Sequence, residues 1–176
     1  MKRVVLGKSL RLHPPSADDL EWMARALDRD EVARAFGYSA GAGASISARR
    51  AELVVGIIER AARRVGFVLV FPPTPSFPVP EIGYAIPDRR DRDAFTALRA
   101  CDALAFYLFE ELGCERVGWR VKESNLAARA VTRRLGYDVG TAARVDGSAV
   151  RICQLDRARW DARRARLGEG ALRFED

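Results

Sequence analysis

The sequence has few of the residues that build metal sites, disulfide frameworks or histidine-centred catalytic sites. Its 176 residues include three cysteines and one histidine. Cys101, Cys114 and Cys153 are an odd number and lack Cys-x-x-Cys spacing, so they indicate neither a disulfide framework nor a zinc site, and we expect buried thiols. His13 has no second histidine with which to bind a metal or form a triad. We predict no metal site and expect acid–base chemistry from carboxylates, tyrosine, threonine, cysteine or water.

Long apolar runs are also absent. No stretch approaches the roughly 18 apolar residues of a transmembrane helix, and residues 1–10 lack the apolar core of a signal peptide. We expect a cytoplasmic protein that makes no contact with a membrane. The hydrophobic share of 48% is enough for one core. We predict a single domain over residues 1–176, with its core at 9–156 and a C-terminal helix and tail at 157–176.

Lysine is scarce and arginine is abundant. Lys2, Lys8 and Lys122 are the lysines, and the net charge is +6 with a pI near 9.7. This balance would suit an anionic partner, and the arginines of residues 157–167 leave nucleic-acid binding as an alternative. Opposite charges are interspersed, however, as in residues 88–93, and abundant alanine with arginine is typical of a compositional bias. We therefore do not expect a nucleic-acid partner.

The hydrophobic pattern predicts a mixed α/β chain with a partly antiparallel sheet. We predict strands at 9–13, 65–71, 81–86, 115–121, 137–145 and 149–155. We predict helices from Ser16, over 30–35, from Ser47 through Ala61, over 94–112, from Asn125 to Leu135 and over 157–167, with a polar tail after them. Residues 41–45 are expected to form a loop, and Asp146-Gly147 is a hairpin signal.

Three local patterns occur in the second half of the chain: Glu81-Ile82-Gly83-Tyr84 before a loop and a long helix, residues 109–113 followed by Arg116-Val117, and residues 125–128 leading to 135–137. These patterns resemble the GNAT (N-acetyltransferase) superfamily, and in particular its branch of ribosomal-protein N-terminal acetyltransferases. Residues 10–12, 18–20 and 30–32 are similar to that branch as well. The resemblance therefore extends over nearly the whole chain.

The resemblance implies an α/β (mixed α+β) single domain with a central twisted mixed sheet of six to seven strands flanked by helices. Acetyl-CoA or another acyl-CoA would lie where two neighbouring parallel strands splay apart, with its pantetheine on the strand 81–86 and its pyrophosphate at the start of the long helix. The family usually has three strands where we count two between Ile58 and Ile86, so either one strand is missing or the helix through Ala61 is overextended.

The resemblance also implies a set of cofactor-binding residues: Ala85, Ile86, Arg89, Arg90, Arg92, Ala94, Phe95, Thr96, Asn125 and Arg129. Asn125 would contact the pantetheine, and capping of its helix is a second role that it could fill at the same time. Arg129 would face the cofactor, or else solvent.

The pyrophosphate loop of the family reads Arg/Gln-x-x-Gly-x-Gly/Ala. Counting back from Phe109 places its glycines at Asp93 and Phe95. Asp93 would bring a negative charge to the pyrophosphate, an unfavourable interaction on the order of 1 kcal/mol or more, which the neighbouring arginines could offset in part. Phe95 would add bulk where glycine lets phosphates approach the backbone. We therefore expect a degenerate loop with impaired acetyl-CoA binding.

Catalysis in the family is direct transfer, in which an amine attacks the thioester and a tyrosine or serine protonates the leaving thiolate. The catalytic candidates that the resemblance implies are Glu81 as the base, with Tyr84 and Thr132 near the leaving group. The family's acid positions fall at Ala128 and Thr132, so Tyr84 and Tyr137 are the possible replacements. A solvated strand-end carboxylate and core packing are the respective structural alternatives for Glu81 and for the tyrosines.

The resulting hypothesis is an acyl-CoA-dependent N-acyltransferase that transfers acetyl to a primary amine of a small molecule or of a peptide or protein N-terminus. The alternative is a catalytically impaired, GNAT-like pseudoenzyme that acts as a binding or assembly module. The Pro-rich connection near Phe77 could serve a homodimer.

Overall fold

One mixed sheet with helices packed on both faces makes up the described part of the chain, residues 1–7, 10–36, 54–145 and 147–175 of a computed structural model. Its elements are β1 (Arg3–Leu6), β2 (Leu10–His13), α1 (Ala17–Leu27), α2 (Asp30–Phe36), β3 (Val54–Arg60), β4 (Arg63–Phe71), β5 (Glu81–Ala85), a 3₁₀ turn (Arg89–Asp91), α3 (Ala94–Phe106) with a π-helical extension (Tyr107–Glu111), β6 (Arg116–Lys122), α4 (Leu126–Leu135), β7 (Asp138–Val145), β8 (Ser148–Asp156), α5 (Arg157–Leu167) and β9 (Leu172–Glu175).

The strand order across the sheet is β7-β8-β6-β5-β4-β3-β2-β1-β9. Neighbouring strands are antiparallel except β5 and β6, which are parallel. The predicted mixed sheet is thus confirmed, but the described residues form nine strands rather than six to seven. The strands that sequence reasoning missed are β1, β3 and β9.

Side chains of the sheet alternate between two packed layers, as the pleat of a strand requires. On one face, Val68 and Val70 of β4 pack with α3, α4 and Trp160 of α5. On the other face, Phe67 and Leu69 of β4 pack with α1 and α2. Because β4 is covered on both sides, its sequence is a continuous apolar run, as a buried central strand requires.

The prediction of a helix from Ser47 through Ala61 is wrong over its described part. Val54–Arg60 is strand β3, antiparallel to β2 and to β4, whereas Ser47 and the loop predicted at 41–45 lie outside the described residues. Four consecutive residues of β3, 55–58, are buried because both faces of the strand are covered. Such a run also matches the helical period, so periodicity alone could not separate the two structures. β3 supplies the strand that the count between Ile58 and Ile86 lacked.

The hairpin between β3 and β4 turns at Ala61 and Ala62, which both adopt positive φ (50° and 58°). A two-residue turn of this type normally contains Asn-Gly or a similar pair, because residues with a Cβ are disfavoured in the left-handed region. The turn therefore lacks the signal by which hairpins are recognised. The predicted β7–β8 hairpin does carry such a signal and is confirmed, with Gly147 at φ 75° and Asp146 outside the described residues.

The tail after α5 is partly structured, contrary to the expectation of a polar tail. β9 pairs antiparallel with β1, and the Phe174 ring lies 4.8 Å from that of Phe106. Leu172 of β9 and Val4 of β1 belong to the core. Strands β1 and β9 therefore lie together at one edge of the sheet.

Ion pairs and one buried aromatic ring dock α5 on the core. Trp160 is fully buried and stacks on Phe109 with ring centroids 5.8 Å apart. Arg163 donates to both carboxylate oxygens of the buried Asp102, at 3.0 and 2.9 Å; burial raises the pKa of this carboxyl and the Arg163 hydrogen bonds oppose that rise. Arginines of α5 with a carboxylate partner are Arg157 and Arg164 on Glu110, Arg159 on Asp138 and Asp156, and Arg163 on Asp102.

The predicted helices α1 and α2 are confirmed, and α1 begins with a capping box in which Ser16 and Asp19 exchange hydrogen bonds. Cys101 and Cys153 are buried as expected, and Cys114 is partly buried. Within the described ranges, no helix is long and apolar enough to cross a membrane.

Replacing the strained turn with its preferred residues should stabilise the protein. We expect the double substitution Ala61→Asn and Ala62→Gly to raise the free energy of unfolding by about 1 kcal/mol or more, because positive φ costs an L-residue roughly 1–2 kcal/mol. Urea denaturation measures the change. As a control, Ala149→Gly at an exposed, extended position of β8 should lower the free energy by about 0.5–1 kcal/mol. An unchanged or lower value for the turn variant would contradict this description of the hairpin.

Candidate active site

The parallel strands β5 and β6 meet at one end and diverge. They have one registered pair, Glu81 with Gly118, and next to it the Gly118 N–H donates to the Pro80 carbonyl at 2.9 Å. The Phe77 ring covers Gly118 so closely that a Cβ there would lie 2.5 Å from its Cζ atom. Glycine is therefore required where the strands meet, and the space between the strands opens beyond this point.

A cavity of about 670 Å³ opens at this divergence. Its walls come from β5 and β6, from the first turns of α3 and α4, from α2 and from the Pro-rich connection before β5. The lining residues include Glu31, Phe77, Glu81, Tyr84, Ala85, Ile86, Arg92, Asp93, Ala94, Ala97, Trp119, Arg120, Asn125 and Ala128. The structure thus brings together the predicted residues Glu81, Tyr84, Ala85, Ile86, Arg92, Ala94 and Asn125.

Aromatic rings line the gap between the diverging strands on the α3 face. The Tyr84 and Trp119 rings meet edge to face with centroids 5.4 Å apart, and Trp119 contacts Tyr137 in the same way at 6.0 Å. Tyr137 is buried and lies outside the cavity lining; its hydroxyl has no hydrogen-bond partner among the described residues. The rings lie where the described residues show no backbone ladder between the two strands.

Glu81 lies on the opposite face, where it forms a two-pronged ion pair with Arg120. The Arg120 Nε donates to Glu81 Oε1 at 2.7 Å, and Nη2 donates to Oε2. The same guanidinium lies 5.2 Å from the centre of the Phe77 ring. Glu81 is therefore a fixed, mostly buried carboxylate and not a solvated strand-end residue. Arg120, which pairs with Glu81, and Phe77, whose ring lies beside Arg120, were not among the predicted site residues.

The two hydroxyls predicted near a leaving group occupy different environments. Tyr84 lines the cavity, and burial, followed by the nearby Cys101, raises the pKa of its phenol. It is therefore protonated at neutral pH, and the higher pKa also makes it a weaker acid. Thr132 is buried outside the cavity lining, and its hydroxyl donates to the Ala128 carbonyl at 2.8 Å. The Thr132 hydroxyl is thus engaged within its own helix.

The start of α3 is capped by a carboxylate. Asp93 is the N-cap: its Oδ1 accepts the Thr96 N–H at 2.6 Å, and its Oδ2 accepts the Thr96 hydroxyl at 2.8 Å. Arg60 donates to the same Oδ2 at 2.6 Å. Burial raises the pKa of Asp93, but the bonds from Thr96 and Arg60 outweigh burial and the net pKa is lowered. Asp93 is therefore an anion at neutral pH. Thr96 itself is buried and outside the cavity lining.

A second carboxylate, Asp91, shares Arg60 with Asp93. Asp91 is buried, and Arg63 donates to its two oxygens at 2.8 and 2.5 Å while Arg60 donates at 3.2 Å. The hydrogen bond from Arg63 holds the pKa of Asp91 below its ordinary value. The β3–β4 hairpin supplies both arginines, and the sequence did not predict this hairpin.

The loop arginines divide into one that lines the cavity and two that do not. The Arg92 Nε donates to the Ile86 carbonyl at 2.8 Å, and its Nη2 donates to Pro87 at 2.6 Å and to Glu31 at 3.0 Å. Arg92 thereby ties the loop to the end of β5 and to α2. Arg89 and Arg90 are exposed and lie outside the lining.

Phe95 does not enter the cavity. Its side chain is 57% exposed, and the Arg99 guanidinium lies 4.0 Å from its ring centre. Because α3 begins at Ala94, the cavity is lined by Ala94 and Ala97, three residues apart on one helix face, and Phe95 projects elsewhere. The expectation that Phe95 would block the site is wrong for this reason.

Asn125 caps its helix and lies at the cavity, while its contact with a pantetheine stays a prediction. Its side-chain oxygen accepts the Ala128 N–H at 3.0 Å, which caps α4, and it lines the cavity. Arg129 lies outside the lining and donates to the Glu123 carbonyl at 3.2 Å. Among the residues that the structure describes, no group of three or more histidine, cysteine or carboxylate side chains could hold a metal ion.

A family model described as the acetyltransferase (GNAT) domain matches residues 9–138. The chain belongs to the GNAT acetyltransferase family. A search of curated proteins found no significant match.

Solved GNAT structures share this fold at low sequence identity. Aminoglycoside acetyltransferase AAC(6')-Ib in complex with coenzyme A superposes with a TM-score of 0.75 at 14% identity, over 89% of this chain and 99% of the other. RimJ of Mycobacterium smegmatis in complex with CoA-disulfide gives 0.72 at 18%, over 94% of each chain. Spermidine N-acetyltransferase of Vibrio cholerae, in complex with CoA and spermine, gives 0.72 at 13%, over 86% and 97%.

The GNAT loop pattern can also be read from Arg89, and this register agrees with the observed helix start. It places Arg92 and Ala94 at the glycine positions, and alanine is allowed at the second. The count back from Phe109 passes into the π-helical turn Tyr107–Glu111, where residue spacing differs from that of an α-helix. In this register the departure from the pattern is Arg92, whose side chain bonds the end of β5.

The capping role of Asn125 gives a stability prediction. Asn125→Ala should lower the free energy of unfolding by about 1 kcal/mol, because α4 loses the acceptor for its Ala128 N–H. Asn125→Ser keeps a capping oxygen and should stay within about 0.5 kcal/mol of the wild type. Urea denaturation of both variants checks this, and equal loss in the two would contradict a capping role.

Proposed function

We propose that this GNAT protein transfers an acyl group, in the simplest case acetyl, from acyl-CoA to a primary amine of a small molecule or of a peptide N-terminus. The observation that carries the proposal is the divergence of β5 from β6 beyond the Glu81–Gly118 pair, with the cavity that opens there. The starts of α3 and α4 border that cavity at Ala94 and Asn125.

The donor fits the α3 side of the divergence. Past Glu81, the edge of β5 that faces β6 has no registered partner in the described residues, so its backbone groups are available to the amides of a pantetheine arm. Asn125 at the start of α4 is placed to contact the same arm. The N–H groups at the start of α3 and Arg92, which lines the cavity, favour a phosphate group nearby.

The acceptor fits the opposite side, next to Glu81. The amine nitrogen attacks the thioester carbon, the nitrogen–carbon bond forms and the carbon–sulfur bond breaks. Glu81 receives the proton that the amine loses, directly or through water, and Arg120 fixes the orientation of its carboxylate. Tyr84, protonated at neutral pH, donates its hydroxyl proton to the departing thiolate sulfur.

The structures similar to this chain agree with an amine acceptor. Aminoglycoside acetyltransferase AAC(6')-Ib has been solved with kanamycin, and the Vibrio cholerae spermidine N-acetyltransferase with spermine. Both ligands carry primary amines. The alternative of a binding or assembly module gains no support from these enzymes.

Turnover of acetyl-CoA with an amine panel tests the proposed function. We expect release of free CoA thiol with at least one amine, and we expect Glu81→Gln to lower kcat by about 100-fold, since it removes the proton acceptor. Glu111→Gln is the matched control, because Glu111 pairs with Lys2 outside the cavity lining and its loss should leave kcat near the wild type. Wild-type protein that neither binds acetyl-CoA at millimolar concentration nor turns it over would contradict the proposal.

Tyr84 and Tyr137 provide a second, paired test. Tyr84→Phe should lower kcat by about 10- to 100-fold with little change in KM for acetyl-CoA, because a proton donor to the thiolate is lost. Tyr137→Phe removes a hydroxyl without a hydrogen-bond partner among the described residues, and it should keep most of the activity. Equal effects of the two substitutions would argue that Tyr84 has a packing role only.

A further inference from the structure

Two carboxylates and two arginines form a compact charged group at the start of α3. Asp91 and Asp93 are the carboxylates, and Arg60 and Arg63 come from the two strands of the β3–β4 hairpin. Arg60 joins the two halves, since it donates to Asp93 at 2.6 Å and to Asp91 at 3.2 Å. Two negative groups held by arginines at a helix start make the same kinds of contact that a bound pyrophosphate would make.

The two carboxylates differ in how firmly they are held. The side chain of Asp91 is 2% exposed, and Arg63 occupies both of its oxygens. The side chain of Asp93 is 45% exposed, lines the cavity and has Arg60 as its arginine partner. Asp91 is therefore a structural anion that fixes the arginines in place, whereas Asp93 can leave its position by rotating toward solvent.

We propose that Asp93 is an internal competitor of the donor, and that its carboxylate must leave the start of α3 and Arg60 when the pyrophosphate of acyl-CoA binds there. This inference rests on the proposed function. Asp93 engages the polar groups at this helix start, namely the Thr96 N–H in the first turn of α3, the Thr96 hydroxyl and the Arg60 guanidinium, none of which lines the cavity while the carboxylate is in place. Binding exchanges one set of charge-assisted hydrogen bonds for another.

The exchange sets the affinity for the donor. If the carboxylate stayed in place, it would repel the pyrophosphate at short range; if it leaves, its bonds to Thr96 and Arg60 are lost and the phosphate must replace them. In both cases the Asp93 carboxylate weakens the net binding of the donor. Removing the charge while keeping the capping oxygen should therefore strengthen the binding of ligands that carry the pyrophosphate and of no others.

Asp93→Asn is the substitution that isolates this effect, because asparagine caps a helix about as well as aspartate. Isothermal titration with CoA should give a dissociation constant about five- to tenfold lower than that of the wild type, while pantetheine, which has no phosphate, should bind both proteins equally. Asp88→Asn removes a charge of the same loop that pairs with Arg29 outside the cavity lining, and it should change the CoA constant by less than about twofold.

Arg60→Gln provides the converse measurement. It should weaken CoA about tenfold and leave pantetheine unchanged, because the arginine that Asp93 releases is the one that meets the pyrophosphate. Urea denaturation of each variant confirms that it is folded.

Equal CoA constants for the wild type and Asp93→Asn would overturn this inference and leave the proposed function standing. A gain that appears equally with pantetheine, or equally in Asp88→Asn, would overturn it as well. Absence of CoA binding by both the wild type and Asp93→Asn would overturn the inference and the proposed function together.

Discussion

The limited contact between the parallel strands β5 and β6 is the constraint on which the remainder of the site depends. One registered pair at Glu81 and Gly118 joins the strands, and their close approach needs a glycine under the Phe77 ring. Beyond it, the Tyr84 and Trp119 rings occupy the gap on the α3 face, and the Glu81–Arg120 ion pair marks the other face. The sheet therefore has a gap between β5 and β6, while the strands on either side of the gap pair in continuous antiparallel ladders.

Arginine accounts for much of the organisation around this opening. Arg120 fixes Glu81, Arg92 ties the loop to β5 and α2, and Arg60 bridges the carboxylates at the start of α3. The arginines of α5 likewise pair with carboxylates of α3 and its π-helical extension. A planar donor that bonds two oxygens at once suits these roles better than lysine does. Many of the arginines that make the sequence basic therefore form contacts within the protein.

Elements whose boundaries depend on local chemistry could be predicted from the sequence. The α4 helix shows this best, because Asn125 caps its start and Gly136, at φ 83°, ends it. β3 could not be predicted, since a strand buried on both faces has no alternation and its turn at Ala61 and Ala62 has no glycine or asparagine. The partners of the site, such as Arg60 for Asp93 and Arg120 for Glu81, lie 33 and 39 residues away in sequence, so only the fold reveals them.

A crystal structure of the protein grown with CoA is the most direct test of the proposed donor site. We expect electron density for the pantetheine between β5 and β6, with backbone hydrogen bonds to residues 83–86 and the pyrophosphate at the start of α3. Density for CoA elsewhere on the protein, or strands β5 and β6 paired along their whole length with the space between them closed, would contradict it.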